Sequence, residues 1–163
     1  MGSVPDNQPL SEIRGRKLKR PAGIGYEYLK STYSNDTSKI AIVCMDQAAD
    51  LYSAISKSTP TAKYLRWNFD EFFRVSHAMA IALAEAGIRP GMTIAVFSEN
   101  AIETHIMFRA ALELNCTLVM LNPQSTSNER DAKHFLNLTK PNVIMVPNAE
   151  HARKLERSAQ QEV

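Results

Sequence analysis

The spacing of apolar residues changes several times along the chain, and each change marks an element. Lys39-Ile-Ala-Ile-Val-Cys44 is a compact β-branched run and predicts a strand. Ala62–Trp67 predicts a second strand that pairs with the first. Between them Met45–Thr61 is ambiguous: Leu51, Tyr52 and Ile55 mark one helical turn, and Ser56–Thr61 reads as loop. Phe69, Phe72, Phe73, Ser76, Met79, Ala80, Leu83 and Ala84 then fall at three- and four-residue spacing, which predicts a helix. Asn68 or Asp70 can cap its start and Gly87 its end. Met92–Phe97 is almost continuously apolar, as in a strand covered on both faces. A helix capped by Ser98 or Asn100 follows, running to about Leu114, then a strand over Thr117–Leu121. Asn122-Pro123 breaks that strand. Ser127 can cap a helix over Asn128–Leu138, with Glu129 favourably placed in its first turn and Pro141 stopping it. Asn142–Val146 and Ala149–Ala159 read as a last strand and helix.

This alternation predicts an α/β fold, a Rossmann-like parallel sheet with flanking helices. Right-handed crossovers place helices on both faces. Ligands on such sheets bind beyond the C-terminal ends of strands, here Ser98-Glu99-Asn100, Asn122-Pro123-Gln124 and Pro147-Asn148. Upstream, Arg14–Arg20 carries five basic residues in seven. Residues 1–22 read as a basic, disordered arm, closed by Pro21 and Gly23, and 23–163 as the folded part. Ile24, Tyr28 and Leu29 mark a short helical stretch over Ile24–Tyr33.

Composition narrows the class. The chain has 163 residues, 44% hydrophobic and 22% charged, the profile of a globular domain. Its net charge of +2 argues against nucleic acid as the main partner. Two cysteines build no disulfide framework, and the N-terminus lacks the apolar core of a secretory signal, so a cytoplasmic setting is expected. No apolar run reaches the roughly 18 residues of a membrane span.

The chemistry-bearing residues assemble no recognisable site. A phosphate-cradling loop needs several glycines, and the chain has six, widely scattered. Gly23-Ile-Gly25 follows no strand and lacks a third glycine at the right offset. His77, His105, His134 and His151 lie more than a helical turn apart, and no Cys-x-x-Cys occurs, so no metal site is expected. There is no Gly-x-Ser-x-Gly elbow. Cys44 and Cys116 read as small buried apolar residues. No residue is assigned a catalytic, cofactor-binding or metal-ligating role.

The stretch from about Leu65 to Val146 resembles the N-terminal part of the adenylate-forming superfamily, the acyl- and aryl-CoA ligases, luciferases and peptide-synthetase adenylation domains. Leu65-Arg-Trp-Asn-Phe-Asp-Glu-Phe72 is similar to the family's aromatic–Thr–aromatic–x–Glu–Leu start of a long helix. That helix ends, as in the family, at Gly87-Ile-Arg-Pro-Gly91, and an apolar strand and Ser98-Glu-Asn-Ala-Ile-Glu103 follow. Phe108-Arg-Ala-Ala-Leu-Glu-Leu-Asn-Cys-Thr-Leu-Val-Met-Leu-Asn-Pro123 resembles Ala–x–x–x–Gly–Ala–x–x–x–Pro–Leu–Asn–Pro. Lys140-Pro-Asn-Val-Ile-Met-Val146 resembles the strand Ala–Lys–x–Val–Ile–x–Thr. Weaker similarity begins at Ile24. Asn115 stands where relatives carry Gly, and Asn is the next best residue for a positive φ. Met120 stands where Pro is common. The long Met45–Thr61 connection resembles fungal ligases.

The resemblance implies ATP-dependent acyl-CoA ligase chemistry: a carboxylate is activated as its adenylate and passed to the CoA thiol, with ATP, Mg²⁺ and CoA as cofactors of the intact family. It also places the phosphate loop ending in Pro-Lys-Gly, the aromatic-x-x-Thr-Glu motif, the ribose Asp and the C-terminal Lys downstream of the matched region, and none is present. The chain is therefore expected to be an incomplete N-terminal lobe, inactive alone and holding no cofactor, of the kind a secondary-metabolite cluster can retain. An intact relative could be peroxisomal. The alternatives are a non-catalytic interaction module that docks on a full-length ligase or synthase, and an unrelated nucleotide-binding module. An incomplete lobe exposes apolar sheet, is marginally stable and is open to self-association.

Overall fold

The computed structural model describes residues 36–57 and 63–160. The arm, the Ile24–Tyr33 stretch and Gly23-Ile-Gly25 lie outside them. Two sheets organise the described residues. β1 (Ile40–Ala48) and β2 (Tyr64–Asn68) form an antiparallel pair, with a short helix α1 (Ser53–Ser56) in their connection. α2 (Phe69–Glu85) leads to β3 (Thr93–Phe97), α3 (Ile102–Glu113), β4 (Thr117–Leu121), a 3₁₀ turn (Pro123–Ser127), α4 (Glu129–Thr139), β5 (Val143–Met145) and α5 (Ala149–Gln160). β3, β4 and β5 form the parallel sheet, in the order β4-β3-β5. The parallel α/β architecture with helices on both faces thus holds.

β3 is central because its sequence suits burial on both faces. Ile94 and Val96 point to one side and pack with Ala80, Leu83, Met107, Ala110 and Ala111 of α2 and α3. Ala95 and Phe97 point to the other and pack with Ala132 of α4 and Leu155 of α5. The β1–β2 pair lies outside α2 and α3, where Leu65 and Trp67 meet Val75, Ile102 and Ile106. Leu65, Trp67, Ile94 and Phe97 are fully buried, and each such side chain contributes about 1.5–3 kcal/mol. Trp67 Nε1 has no hydrogen-bond partner.

Local signals explain most element ends. Asn68 Oδ1 accepts from the Glu71 amide at 2.9 Å, while a Glu71 carboxylate oxygen accepts from the Asn68 amide at 2.8 Å, a complete capping box. Of the two expected caps, Asn68 serves. Gly87 follows the helix at φ +97° and Asn115 follows α3 at φ +54°, so both occupy the left-handed region and Asn replaces Gly there without breaking the fold.

Three expectations shift. β1 runs on to Ala48, past the expected end at Cys44, with a register irregularity between Cys44 and Ala48 that disrupts the alternation. α4 is capped by Asn128, not Ser127, because Ser127 is taken into the 3₁₀ turn; Asn128 Oδ1 accepts from the Arg130 amide at 3.1 Å. α3 is capped by neither Ser98 nor Asn100. Its N-cap is Ala101, which has no side-chain acceptor, and the Ile102 amide instead donates to Gln47 Oε1 of β1 at 2.8 Å.

Candidate functional site

The connections place the site. β3 leads through α3 on one face to β4. β4 leads through α4 on the opposite face back past β3 to β5. Reversing both direction and face keeps both crossovers the same hand. It also makes the C-terminal ends of β3 and β5 a switch point, where helices leave to opposite faces and a crevice opens. The loops there are the ones the sequence marks: Ser98–Ala101, Asn122–Asn128 and Val146–Asn148.

Their polar groups are largely engaged close by in sequence. The Glu99 carbonyl accepts from the Ala101 amide at 2.9 Å and from Thr104 Oγ1 at 3.0 Å. Asn122 Oδ1 accepts from the Gln124 amide at 3.0 Å. Asn148 Oδ1 accepts from the amides of Glu150 and His151 at 3.0 and 3.1 Å and lies 2.9 Å from His151 Nδ1. These residues start helices and turns.

A second polar cluster was not visible in the sequence. Gln47 Nε2 donates to Glu103 Oε2 at 2.9 Å, and the Tyr52 hydroxyl donates to Glu103 Oε1 at 3.0 Å. Tyr52 is at φ +61°, a conformation most residues avoid, which turns its ring toward Trp67 at 6.1 Å between centroids. With the Gln47–Ile102 bond, Glu103 ties the β1–β2 connection to the start of α3. Burial, then the hydrogen bond and charge of Glu103, push the Tyr52 hydroxyl up to about 12. Gln47 and Tyr52 fall in the ambiguous stretch; only Glu103 carried a signal, as the end of the quoted Ser98–Glu103 motif.

Beside this tie a cavity of about 360 Å³ is lined by Cys44, Asp46, Gln47, Glu99, Asn100 and His105. Burial, followed by the charges of Glu103 and Asp46, raises the Cys44 thiol above its ordinary range. Burial raises Cys116 as well. A raised thiol is a poor nucleophile at neutral pH. The carboxylates of Asp46 and Glu99 make this cavity a poor fit for triphosphate, and among the described residues no glycine lines it. Gly87 and Gly91 lie before β3, at the opposite end of the sheet, where a Cβ would meet nothing within 4 Å. They supply turn conformation.

The other expected site residues are dispersed. His77 Nδ1 contacts Glu113, which also accepts from Arg109 Nη1 at 3.2 Å, and the Arg109 guanidinium lies 4.1 Å over the Phe73 ring. This cluster joins α2 to α3. His134 lies beside Phe135 with the ring planes tilted by 59°, and His105 is exposed on α3. Among the described residues no group of three or more His, Cys, Asp or Glu is placed to hold a metal. Among them, too, no helix is long and apolar enough to cross a membrane.

Comparison with known proteins supplies the family. The model of the AMP-binding enzymes matches residues 41–163, from within β1 to the last residue. No curated protein sequence matches. Among solved structures, VinN in complex with L-aspartate aligns at TM-score 0.66 and 18% identity, over 83% of this chain and 30% of that one. A benzoate CoA ligase from Burkholderia xenovorans aligns at 0.64 and 14%, over 85% and 24%. The inhibitor-bound N-terminal domain of FACL13 from Mycobacterium tuberculosis aligns at 0.63 and 14%, over 86% and 31%. At these identities the likeness is one of fold, and the chain spans between about a quarter and a third of each structure. The family match covers most of the chain and includes every described element of the parallel sheet: the chain belongs to the AMP-binding enzyme family.

Proposed function

We propose that this chain is the N-terminal portion of an ATP-dependent acyl-CoA ligase and contributes scaffold to a site completed by other residues. In such a ligase a carboxylate oxygen attacks the α-phosphorus of ATP, pyrophosphate leaves, and a CoA thiol then takes the acyl group and releases AMP. The observation that carries the reading is the family match over residues 41–163, laid on structures of which this chain spans only 24–31%. Within that assembly the sheet is a rigid platform: β3 presents the loops at its C-terminal end, and the Gln47–Tyr52–Glu103 tie fixes how α3 leaves it. ATP, Mg²⁺ and CoA are held by residues outside this chain, since the glycines described here lie at the other end of the sheet and the cavity beside α3 is acidic. A secondary-metabolite setting and residues 1–22 as a separate basic arm belong to the same proposal.

The test is ATP–pyrophosphate exchange by the purified 163-residue chain with a panel of aliphatic, aromatic and amino-acid carboxylates. No exchange above background is expected. Exchange with any of them would show that the chain holds a complete adenylation site and overturn the reading.

A further inference from the structure

The two faces of the β1–β2 pair are unlike each other. Ile42 and Cys44 turn inward with Leu65 and Trp67, against α2 and α3. The residues that alternate with them turn outward. Val43 is exposed, and Met45 more so, at 76%. Arg66 pairs with Val43 across the strands and is exposed between two buried neighbours. Lys39, just before β1, and Lys63, just before β2, stand exposed at opposite ends of the antiparallel pair. The outer face therefore has an apolar middle with basic residues around it. Two carboxylates lie close: Asp36 pairs with Lys39 at 3.5 Å, and Asp46 lines the cavity beside α3.

The sequence adds to this face. Arg14–Arg20, with five basic residues in seven, precedes β1 in the chain and lies outside the described residues. It carries five positive charges in a chain whose net charge is +2, so positive charge is concentrated there. At about 3.3–3.6 Å per residue when extended, the intervening chain is long enough to bring the run to any part of the face. We propose that the outer face of the β1–β2 pair, together with the Arg14–Arg20 run, is a contact surface for an anionic lipid bilayer. An exposed apolar patch with a polar rim marks an interaction surface. Val43 and Met45 enter the boundary between headgroups and acyl chains, while Arg66, Lys39, Lys63 and the run meet lipid phosphates. So few inserted side chains give a reversible contact that salt weakens. A nucleic acid fits less well, because Val43 and Met45 offer no ring on which a base could stack. A second copy fits less well too, because a two-fold contact would set the same basic rim against itself.

The test is co-sedimentation of the purified 163-residue chain with vesicles of phosphatidylcholine alone, or with about a third phosphatidylserine. The expected result is binding to the anionic vesicles at low salt, lost on raising the salt to about 0.5 M, and no binding to phosphatidylcholine. Two variants divide the surface. Changing Arg14, Arg16, Lys17, Lys19 and Arg20 all to Gln should weaken binding by about tenfold or more. Val43→Thr with Met45→Thr keeps every charge and should weaken it by about fivefold. Thr retains the β-branched preference for a strand, and Met45→Thr alone, at the more exposed position, serves if the pair lowers the urea midpoint. No binding to the anionic vesicles, or equal binding to both compositions, would overturn the proposal. Binding indifferent to the Thr changes would overturn it as well, since the strand face would then lie outside the contact. Tighter binding to single-stranded RNA than to vesicles at the same phosphate concentration would give the run to nucleic acid. A dimer that the Thr changes dissolve would give the face to a second copy, and either result overturns the bilayer. The ligase reading above is tested by pyrophosphate exchange, which vesicle binding does not touch, so the two can fail separately.

Discussion

The two ends of the parallel sheet are built in different ways. At the N-terminal end, backbone bonds cross from element to element. The Gly91 amide donates to the Asn115 carbonyl at 2.9 Å, and the Thr117 amide to the Met92 carbonyl at 2.8 Å. Asn142 and Thr93 exchange two bonds: the Asn142 amide donates to the Thr93 carbonyl at 2.8 Å, and the Thr93 amide to Asn142 Oδ1 at 2.9 Å. At the C-terminal end the bonds of Glu99, Asn122 and Asn148 stay within one loop and its helix, and the bonds that cross between elements are those from Gln47 and Tyr52 to the start of α3. Below them Phe97, fully buried, carries the packing. One end is knitted and the other is packed. The packed end leaves its loops independent of one another.

The largest test of that contrast removes the packing. Phe97→Ala should cost about 3–5 kcal/mol, because it empties a fully buried site between β3, α4 and α5. Urea denaturation checks it. A loss below about 1.5 kcal/mol, the range of a volume-conserving core swap, would mean that this end is held by something other than the core.

The next test strains the knitted end. Gly87→Ala should cost about 1–2 kcal/mol, since φ of +97° is left-handed and an added methyl meets no neighbour. The cost is conformational, so the slope of the denaturation curve should not change. Asn115→Ala should lose less, because φ of +54° lies closer to the ordinary left-handed well. A smaller effect separates two asparagines. Asn142→Ala removes a bond between strands, and Asn148→Ala removes a helix cap, each about 1 kcal/mol. The two should differ in where they act. Hydrogen exchange should speed up at β3 for Asn142→Ala and only in the first turn of α5 for Asn148→Ala. If both speed exchange across the sheet, the loops at the C-terminal end are not independent.

How much of this could be read in advance follows the same division. Asn68 and Glu71 are three residues apart, so their capping box is written in the local sequence, as are Gly87 and the continuous apolar run of β3. The position of the crevice followed from the order of strands and helices. The cap of α3 could not be read, because its acceptor is Gln47, 55 residues earlier, and Ala101 carries no trace of it. The extension of β1 to Ala48 was hidden for a related reason. A register irregularity breaks the period-two pattern, and Met45 in that stretch is 76% exposed, so hydrophobicity alone misplaces it. Cys44 and Cys116 were read as apolar fillers, and both are partly buried with raised thiols. The site tie was illegible for the same physical reason as the cap: Gln47, Tyr52 and Glu103 meet only after the strand pair has docked on α3.

That tie gives the most specific effect. In the folded chain burial and Glu103 hold the Tyr52 hydroxyl protonated up to about 12, against an ordinary value of 10.0. Between those values the unfolded chain has lost this proton and the folded chain has kept it. Unfolding then releases a proton, so stability falls as pH rises through that window and is unaffected by Tyr52 below it. Tyr52→Phe should remove this part of the alkaline loss. It should also remove a hydrogen bond to Glu103, an effect of about 1 kcal/mol at neutral pH that the retained ring packing against Trp67 leaves unamplified. The check is a pair of urea midpoints, at pH 9 and at pH 11, for both proteins. The gap between the two pH values should narrow in the variant. Cys44 titrates in the same direction, with its thiol raised by burial and by the charges of Glu103 and Asp46, so Cys44→Ala in both backgrounds isolates the tyrosine. An unchanged gap would mean that Tyr52 does not keep its proton in the folded chain, and that Glu103 holds the β1–β2 connection to α3 through Gln47 alone.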